Sequence, residues 1–581
     1  MTKKATGAKG ISGSMVKHVS GGLKPLSEAD ARWVQSTLDS LDERRMIGQL
    51  LMPVLSKDAA APLGIAEMVK KTGVGGGWVG GGKLEEVAAM IDSVRGASAI
   101  PPLISGDLEN GAGLAIPECT TFPTQMGLGA AGDESLARIM GDAIAAEGMA
   151  VGFNWVFGPV VDVCRISTST RMLGSDPHKV ARLGVSIIRS VQSRGMAACA
   201  KHFPGGGQDE HERDSHLTTP INTLSAAQWW KISAVPFQAA IDEGVFSIMT
   251  SHFGLPSLDS DCGDPRLPRP ATISGKLLID VLRQKMGFEG LVITDALCMA
   301  GVTLHLRRLE MLPAALNAGQ DMLLFVRRLP DVVDYLMLCL KEGRLSRQRL
   351  EQAARRVLEM KARLGLHRTE PIRGLEKRRQ ELAKYDYSSQ AWKCARRAVT
   401  LLRDEKGVFP LKLKSGARIA SVLITNVADF RLDGFEEQLR CGGMRVESFV
   451  NPSTEKLYDR IEAGEFDLVI TSLYYPYQYG WGTSVCHGPQ SRCLMSGFFF
   501  ANPKVPAVFI SFAHPFHLTN MAFMDPFICT WGGAAGVQKA AAEALLGEIS
   551  FAGRAPVRLD KFFEVGDGLD GTVAAGKKAG K

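Results

Sequence analysis

Two folded units of the α/β class are predicted, a (β/α)₈ TIM-like barrel over residues 25–365 followed by a smaller α/β sandwich over residues 396–565. Three observations carry this prediction. Between Pro25 and Gly365, short apolar or β-branched runs recur, each followed by a stretch with apolar residues at helical spacing, the pattern of a parallel sheet wrapped by helices. The same alternation resumes nearer the C-terminus, beyond a charged stretch. At 581 residues the chain also exceeds what one ordinary core supports.

In chain order, residues 1–24 are rich in Gly, Ser and Lys, lack the apolar stretch of a secretory signal, and read as a disordered basic tail. Candidate barrel strands are Gly75–Gly80, Pro102–Gly106, Val156–Val163, Met196–His202, Ser247–His252, Leu291–Asp295 and Asp321–Val326. Helical stretches such as Glu134–Glu147 and Lys179–Arg194 lie between them. Seven readable strands, with an eighth easily missed, favour a closed barrel over an open doubly wound sheet. Residues 366–395 are charged and helix-prone and read as a linker. In the second unit Arg418–Thr425, Asp467–Thr471 and Ala507–Phe512 read as buried strands and Ala534–Leu546 as a helix, with a second disordered tail over 566–581.

Composition narrows the function classes. Hydrophobic residues at 45% with 22% charged residues are ordinary for a globular protein, and no run of about 18 uncharged apolar residues suggests a membrane helix. The 11 cysteines are scattered without CxxC spacing, which fits reduced thiols and a cytoplasmic location. A net charge of +7 is dispersed among acids, so neither nucleic acid nor a membrane is expected as a partner. Gly77 to Lys83 nearly spells a phosphate loop, but Leu84 stands where Ser or Thr would hold magnesium, so a close-packed strand and turn is expected. Oligomeric state is not legible.

Barrel active sites form at the carboxyl ends of the strands, so polar residues ending apolar runs are the candidates. Ile104-Ser105-Gly106-Asp107, Ala200-Lys201-His202, Thr250-Ser251-His252 and Ile293-Thr294-Asp295 all end this way. Singly each could be a turn or helix cap; together they form a polar ring. Lys201-His202-Phe203-Pro204-Gly205-Gly206-Gly207 is followed by Asp214-Ser215-His216, in which a carboxylate can orient an imidazole and hold its proton. His202, His211 and His216 with Asp209 and Asp214 match no compact zinc motif, so no metal is expected. Tyr474, Tyr475, Tyr477, Tyr479 and Trp481 could stack on sugar rings, although packing at a domain interface is the favoured reading.

In order and spacing these segments resemble the β-N-acetylglucosaminidase branch of glycoside hydrolase family 3, whose Lys-His-Phe-Pro-Gly loop ends in an Asp-x-His dyad. Met46-Ile47-Gly48-Gln49-Leu50, Phe122-Pro123, Asn154-Trp155, Gly158-Pro159-Val160-Val161-Asp162-Val163, Arg171-Met172-Leu173-Gly174-Ser175-Asp176-Pro177, Val292-Ile293-Thr294-Asp295 and Asn317-Ala318-Gly319-Gln320-Asp321-Met322 extend the likeness, and Arg397–Leu402 with Ala544–Pro556 carries it through the second unit. The resemblance implies a retaining, exo-acting hydrolase of terminal N-acetyl-β-glucosaminides, of muropeptide or chitin-fragment type, working through a glycosyl-aspartate. It implies Asp295 as nucleophile, His216 as acid/base, Asp214 as its dyad partner, and Asp107, Arg171, Lys201 and His202 as sugar-binding residues. A small carbohydrate or glycopeptide is the implied substrate, with no metal or organic cofactor, and with water or phosphate open as acceptor.

The sequence also departs from that pattern. Gly206 stands where a second histidine is usual, the loop from Gly207 to Asp214 is longer, Asn110 and Ala112 interrupt a Glu-Gly-Gly-Arg run, and Ala296 replaces a second acid beside Asp295. These changes bear on aglycone preference. A β-glucosidase-type enzyme and a non-catalytic sugar-binding protein of the same fold are the rival readings.

Overall fold

The computed structural model describes residues 22–55, 64–165, 169–261, 263–264, 266–452, 454–480, 486, 491, 494 and 505–571. Residues 1–21 and 572–581 of the two expected tails, and Trp481, lie outside the described residues.

The first unit is a closed parallel barrel. Its strands are β1 Leu51–Met52, β2 Val54–Leu55, β3 Gly76–Val79, β4 Leu103–Gly106, β5 Trp155–Val156, β6 Cys199–Phe203, β7 Ser247–Thr250, β8 Leu291–Ile293 and β9 Leu323–Leu324. β2, β3, β4 and β5 pair in sequence, as do β6, β7 and β8, and β1 pairs with β9, all parallel. Parallel bridges Trp155–Ala197 and Ile293–Met322 close the two gaps in the ring. The unread strand is β1/β2. Pro53 divides it, and a residue without an N–H cannot continue a ladder, so neither half shows strand periodicity.

Two expected strands are shorter than predicted. Val156–Val163 pairs regularly only at Trp155–Val156, after which Val160 makes a single bridge to Lys201, and Asp321–Val326 reduces to Leu323–Leu324. Barrel-top residues turn out of the ladder to form loops. Gly77 lies in β3, where a Cβ would meet the Leu55 side chain at 2.5 Å, so this glycine is required by close packing.

The outer helices follow their caps. Helix Glu134–Val151 starts at Asp133, whose carboxylate accepts from Ser135 N, and helix Pro177–Ser193 starts at Asp176 with proline in its first turn. They cross closely because Gly141 has no side chain: a Cβ there would lie 2.8 Å from Ile187 O.

Helix Arg347–Arg363 carries Lys361 into the core, where its ammonium donates to Gln49 Oε1 at 2.6 Å. Burial pushes this ammonium down to about 7. Between that value and the ordinary lysine value the unfolded chain holds a proton that the native protein lacks, so this group makes stability rise with pH across that window. Lys361→Met is therefore expected to raise the urea midpoint, relative to wild type, most at pH 7 and progressively less toward pH 10. Unfolding curves at those pH values check the slope, and a constant difference would show that Lys361 is charged throughout.

The second unit holds a six-stranded sheet built from β10 Thr400–Arg403, β11 Arg418–Thr425, β12 Arg445–Val450, β13 Leu468–Tyr474, β14 Ala507–Ser511 and β15 Phe527–Cys529. Their order is β10-β15-β14-β13-β11-β12, with only the β10–β15 pairing antiparallel. Helices Asp433–Cys441 and Ala535–Leu545 pack against each other over a core including Phe435, Val508 and Ile510.

The segment expected as a linker is docked on the barrel. Arg378 is fully buried; its Nη1 and Nη2 donate to Asp92 at 2.9 and 2.8 Å, and its Nε to Val151 O at 2.7 Å. Helix Ser388–Ala398 then touches both helix Gln125–Ala131 of the barrel and helix Ala535–Leu545 of the second unit. Gly566 to Leu569, expected in a tail, are also tied down: Leu569 N donates to Leu401 O and Gly566 N to Ala555 O, each at 2.9 Å.

Candidate active site

A cavity of 330 Å³ opens at the carboxyl ends of the strands. Asp107 follows β4, Asp162 follows β5, Lys201 and His202 lie in β6, His252 follows β7 and Asp295 follows β8. The loss of regular pairing at the strand ends aims these side chains at one space, and in β6 the register shift between Lys201 and Phe203 lets the consecutive Lys201 and His202 both line it.

The cavity floor is a charge network. Lys201 Nζ donates to Asp107 Oδ1 at 2.7 Å and forms an ion pair with Glu109 Oε1 at 2.7 Å. Arg171 grips Glu109 with two nitrogens, Nε to Oε2 at 2.9 Å and Nη2 to Oε1 at 2.5 Å. Trp78 Nε1 donates to the remaining Asp107 oxygen at 3.1 Å. Burial pushes Glu109 up, but the Arg171 and Lys201 charges win and hold it well below the usual carboxylate range. Burial pushes Lys201 down, but Asp107 and Glu109 win and raise it above the usual lysine value. Glu109, Lys201 and Arg171 are thereby held charged, and Asp107, at 40% side-chain exposure, is the member most open to the cavity.

Removing Glu109 would leave Lys201 and Arg171 sharing Asp107 alone. Breaking a buried pair costs about 3 kcal/mol or more because the surviving charges stay desolvated. Glu109→Gln is accordingly expected to lower thermal stability by that order and to raise KM for any sugar the network holds, as read by calorimetry and steady-state kinetics. An unchanged melting profile would show that solvent already screens the pair.

His202 is oriented by Asp162, whose Oδ2 lies 2.8 Å from the ring Nδ1, while Oδ1 accepts from Gly206 N at 2.6 Å. Gly205 and Gly207 have φ of +110° and +76°, conformations that glycine permits, which explains the glycine-rich path after the strand. Asp295 accepts from Ala296 N at 2.7 Å and lines the cavity. Burial pushes its carboxyl up, but His202, His252 and the Ala296 N–H outweigh this and keep it below the usual range, hence ionised. His252 is buried behind it, with Nδ1 on the Thr272 hydroxyl at 2.7 Å and Nε2 on Ala296 O at 2.9 Å, and so braces the turn that carries Asp295.

The Asp214/His216 pair is formed. His216 Nδ1 lies 2.7 Å from Asp214 Oδ1, and His216 N donates to the same oxygen at 2.9 Å. The other Asp214 oxygen accepts from Gly480 N at 2.7 Å, across the boundary between the two units. Burial raises the Asp214 carboxyl, but these hydrogen bonds bring it down to about 2. With Nδ1 engaged, Nε2 is the imidazole nitrogen left for proton transfer. Tyr479 packs against the His216 ring, centroids 4.5 Å apart, and lies under the Arg171 guanidinium at 5.4 Å; Tyr477 hydrogen-bonds Asp214.

All seven residues singled out from the sequence gather here: Asp107, Arg171, Lys201, His202, His216 and Asp295 line the cavity, and Asp214 stands behind His216. Sequence reasoning missed Glu109, Asp162 and Trp78 as partners. Asp162 lies near the end of the predicted run Val156–Val163, whereas Glu109 lies three residues past the end of β4 and is legible only as the first residue of the interrupted Glu-Gly-Gly-Arg run. The tyrosines divide: Tyr477 and Tyr479 line the cavity, whereas Tyr474 stacks on Phe430 within the second unit and Tyr475 is buried. Of the residues weighed as metal ligands, His202 and His216 use Nδ1 on carboxylates and Asp209 pairs with Arg213; among the described residues there is no group of three or more His, Cys, Asp or Glu placed to hold a metal ion.

An ionised carboxylate and a carboxylate-bound imidazole facing one cavity can serve as nucleophile and proton carrier in glycosyl transfer. The chain belongs to glycosyl hydrolase family 3, whose N-terminal domain matches residues 41–360. A beta-N-acetylglucosaminidase/beta-glucosidase of Cellulomonas fimi is 31% identical over 570 residues, spanning 92% of this chain and 96% of that protein. A beta-hexosaminidase of Thiobacillus denitrificans is 32% identical over 262 residues, 43% of this chain and 70% of that one. Among solved structures, the beta-glucoside phosphorylase BglX bound to 2FGlc superposes with a TM-score of 0.83 at 28% identity, covering 92% of this chain and 97% of that one. A family 3 beta-N-acetylglucosaminidase from Paenibacillus sp. str. FPU-7 shares the fold, with a TM-score of 0.76 at 24% identity, covering 90% and 99%. The barrel and α/β sandwich predicted from the sequence are the architecture found.

Proposed function

We propose that the protein is a retaining, exo-acting β-N-acetylglucosaminidase that releases terminal N-acetyl-β-glucosaminides from muropeptide- or chitin-type substrates. The observation that carries this is the Asp214/His216 dyad, held in one cavity with the ionised Asp295. Asp295 attacks the anomeric carbon while His216 Nε2–H protonates the departing oxygen, leaving a glycosyl-aspartate. The neutral imidazole then takes a proton from water, which opens the intermediate and restores both groups. Asp214 holds the Nδ1 proton and balances the imidazolium. Asp107, Lys201, Arg171 and His202 grip hydroxyl or acetamide groups of the sugar with charge-assisted hydrogen bonds that strengthen as the oxocarbenium develops.

Names of relatives support both N-acetylglucosaminide and glucoside turnover, so the glycone is the point to test. With paired 4-nitrophenyl N-acetyl-β-glucosaminide and β-glucoside, kcat/KM is expected to favour the N-acetyl sugar by at least about tenfold, the effect of roughly 1.4 kcal/mol. A preference for the glucoside would move the enzyme to the glucosidase reading.

A second reading concerns the acceptor, because the phosphorylase named above is similar over nearly the whole chain. An imidazole base repels an incoming anion less than a carboxylate base does, so phosphate can open the glycosyl-aspartate to give a sugar 1-phosphate. Turnover in phosphate buffer, with sugar 1-phosphate measured against free sugar, separates the two acceptors.

A further inference from the structure

The loop after β13 brings Tyr477-Gln478-Tyr479-Gly480 of the second unit to the catalytic cavity, which Tyr477 and Tyr479 line. Gly480 has φ of +77°, a left-handed turn that glycine permits, and its N–H reaches Asp214 at 2.7 Å. A Cβ on Gly480 would lie 3.9 Å from the Leu217 side chain, so the turn is seated against the loop that bears the dyad.

Tyr479 stands between two groups with different tasks. Its ring centroid lies 4.5 Å from that of His216, with the planes tilted by 48°, and the Arg171 guanidinium lies 5.4 Å from the same centroid. Arg171 is anchored in turn through Glu109 to Lys201. Tyr479 is 52% exposed, so core burial does not account for its placement.

His216 gains from such a neighbour. Its Nδ1 is pinned to Asp214, but a ring held at one nitrogen can still swing about that hydrogen bond, and the swing displaces Nε2, the nitrogen that must meet the leaving oxygen. An aromatic ring packed against the imidazole limits the swing. The same ring attracts cations, and so favours the imidazolium form.

We propose that Tyr479 is a positioning residue that sets the spacing between the sugar held at Arg171 and the proton carried by His216. Proton transfer needs Nε2 within hydrogen-bond reach of the leaving oxygen, and a misplacement of about 1 Å can cost on the order of a hundredfold in rate. The sugar is gripped by the barrel and the ring belongs to the second unit, so alignment of the acid/base depends on both. The proposal rests on the glycosidase reading with His216 as acid/base.

The test compares Tyr479→Leu and Tyr479→Phe on N-acetyl-β-glucosaminyl-(1→4)-N-acetylglucosamine. Leucine removes the aromatic ring and is expected to lower kcat by about tenfold or more. Phenylalanine keeps it and is expected to stay within about twofold of wild type, since both contacts are made by the ring. Inhibition by N-acetylglucosamine should change by less than about threefold in either variant, because Glu109 still holds Arg171. Single-turnover release of nitrophenol from the 4-nitrophenyl glycoside, which needs no proton, should keep its rate in both. In a His216→Ala background, Tyr479→Leu should cost less than about twofold on the disaccharide, because the group it positions is gone. A rise in KM with kcat unchanged, an equal loss in both variants, or the same loss with and without His216 overturns the proposal. If His216→Ala itself leaves disaccharide turnover intact, the acid/base assignment fails and the proposal falls with it. Should β-glucosides alone turn over, cellobiose replaces the disaccharide, glucose replaces N-acetylglucosamine, and the same ratios decide.

Discussion

Asp295→Asn is expected to lower kcat by about 10⁴ while sugar binding survives, the scale on which removal of a covalent nucleophile acts in enzymes whose catalytic groups work as a unit. The reasoning is electrostatic as much as nucleophilic. In the native site the Asp295 carboxylate is desolvated, accepts from Ala296 N at 2.7 Å and is kept ionised by the neighbouring imidazoles. The amide keeps the shape but brings neither the charge that stabilises an oxocarbenium nor an oxygen able to form the ester. In the proposed reaction binding rests on Asp107, Glu109 and Arg171 around Lys201, none of which the substitution alters. Steady-state kinetics for kcat, with calorimetric titration of N-acetylglucosamine for affinity, measures both halves. A variant that keeps more than about a tenth of the wild-type rate would remove Asp295 from the nucleophile role. If wild type and variant bind equally and neither turns over, the protein is a sugar-binding member of the fold.

How far the sequence revealed this site follows from what each residue depends on. Residues placed by local chain geometry were legible. Asp107, His202 and Asp295 lie at or just past the ends of apolar runs, and a barrel brings such ends together whatever its details. Likewise Asp214 and His216 are two residues apart, so their pairing is a local matter. Residues whose role depends on a partner far along the chain were not legible. Glu109 matters because Arg171 lies against it, 62 positions away, and Gly480 because its N–H reaches Asp214 across 266 positions. Nor could periodicity distinguish Tyr477 and Tyr479, which enter the cavity, from Tyr474 and Tyr475, which pack within their own unit. In the fold, β1/β2 was hidden by Pro53, and the docked segment around Arg378 looked like a linker because its charges are neutralised by distant groups such as Asp92. The second unit is therefore part of the site, since it supplies the N–H that satisfies the outer oxygen of Asp214.

His216→Ala separates the two steps of the proposed reaction, because the imidazole has a different task in each. For a substrate whose leaving oxygen needs a proton, such as a disaccharide, loss of the general acid is expected to cost about 10²–10⁴ in kcat/KM. For a 4-nitrophenyl glycoside the leaving phenolate departs without protonation, so formation of the glycosyl-aspartate is expected to be slowed far less. Its hydrolysis, which needs a base, then becomes limiting. The variant should show a burst of nitrophenol followed by slow turnover, and azide, an anion that attacks without a base, should restore the steady rate. In the wild-type enzyme the dyad partner should remain ionised throughout such measurements, since Asp214 is held at about 2, below its unfolded value, with the His216 hydrogen bond the leading cause that lowers it. The stabilisation it lends is full above the unfolded carboxylate range and is lost only as pH falls through the folded value, so an acid limb near pH 5 would not come from Asp214. Pre-steady-state release of nitrophenol, with and without azide, makes the distinction. Equal losses on activated and unactivated substrates, with no burst and no rescue, would place the acid/base elsewhere and leave the Asp214/His216 pair a structural link between the barrel and the second unit.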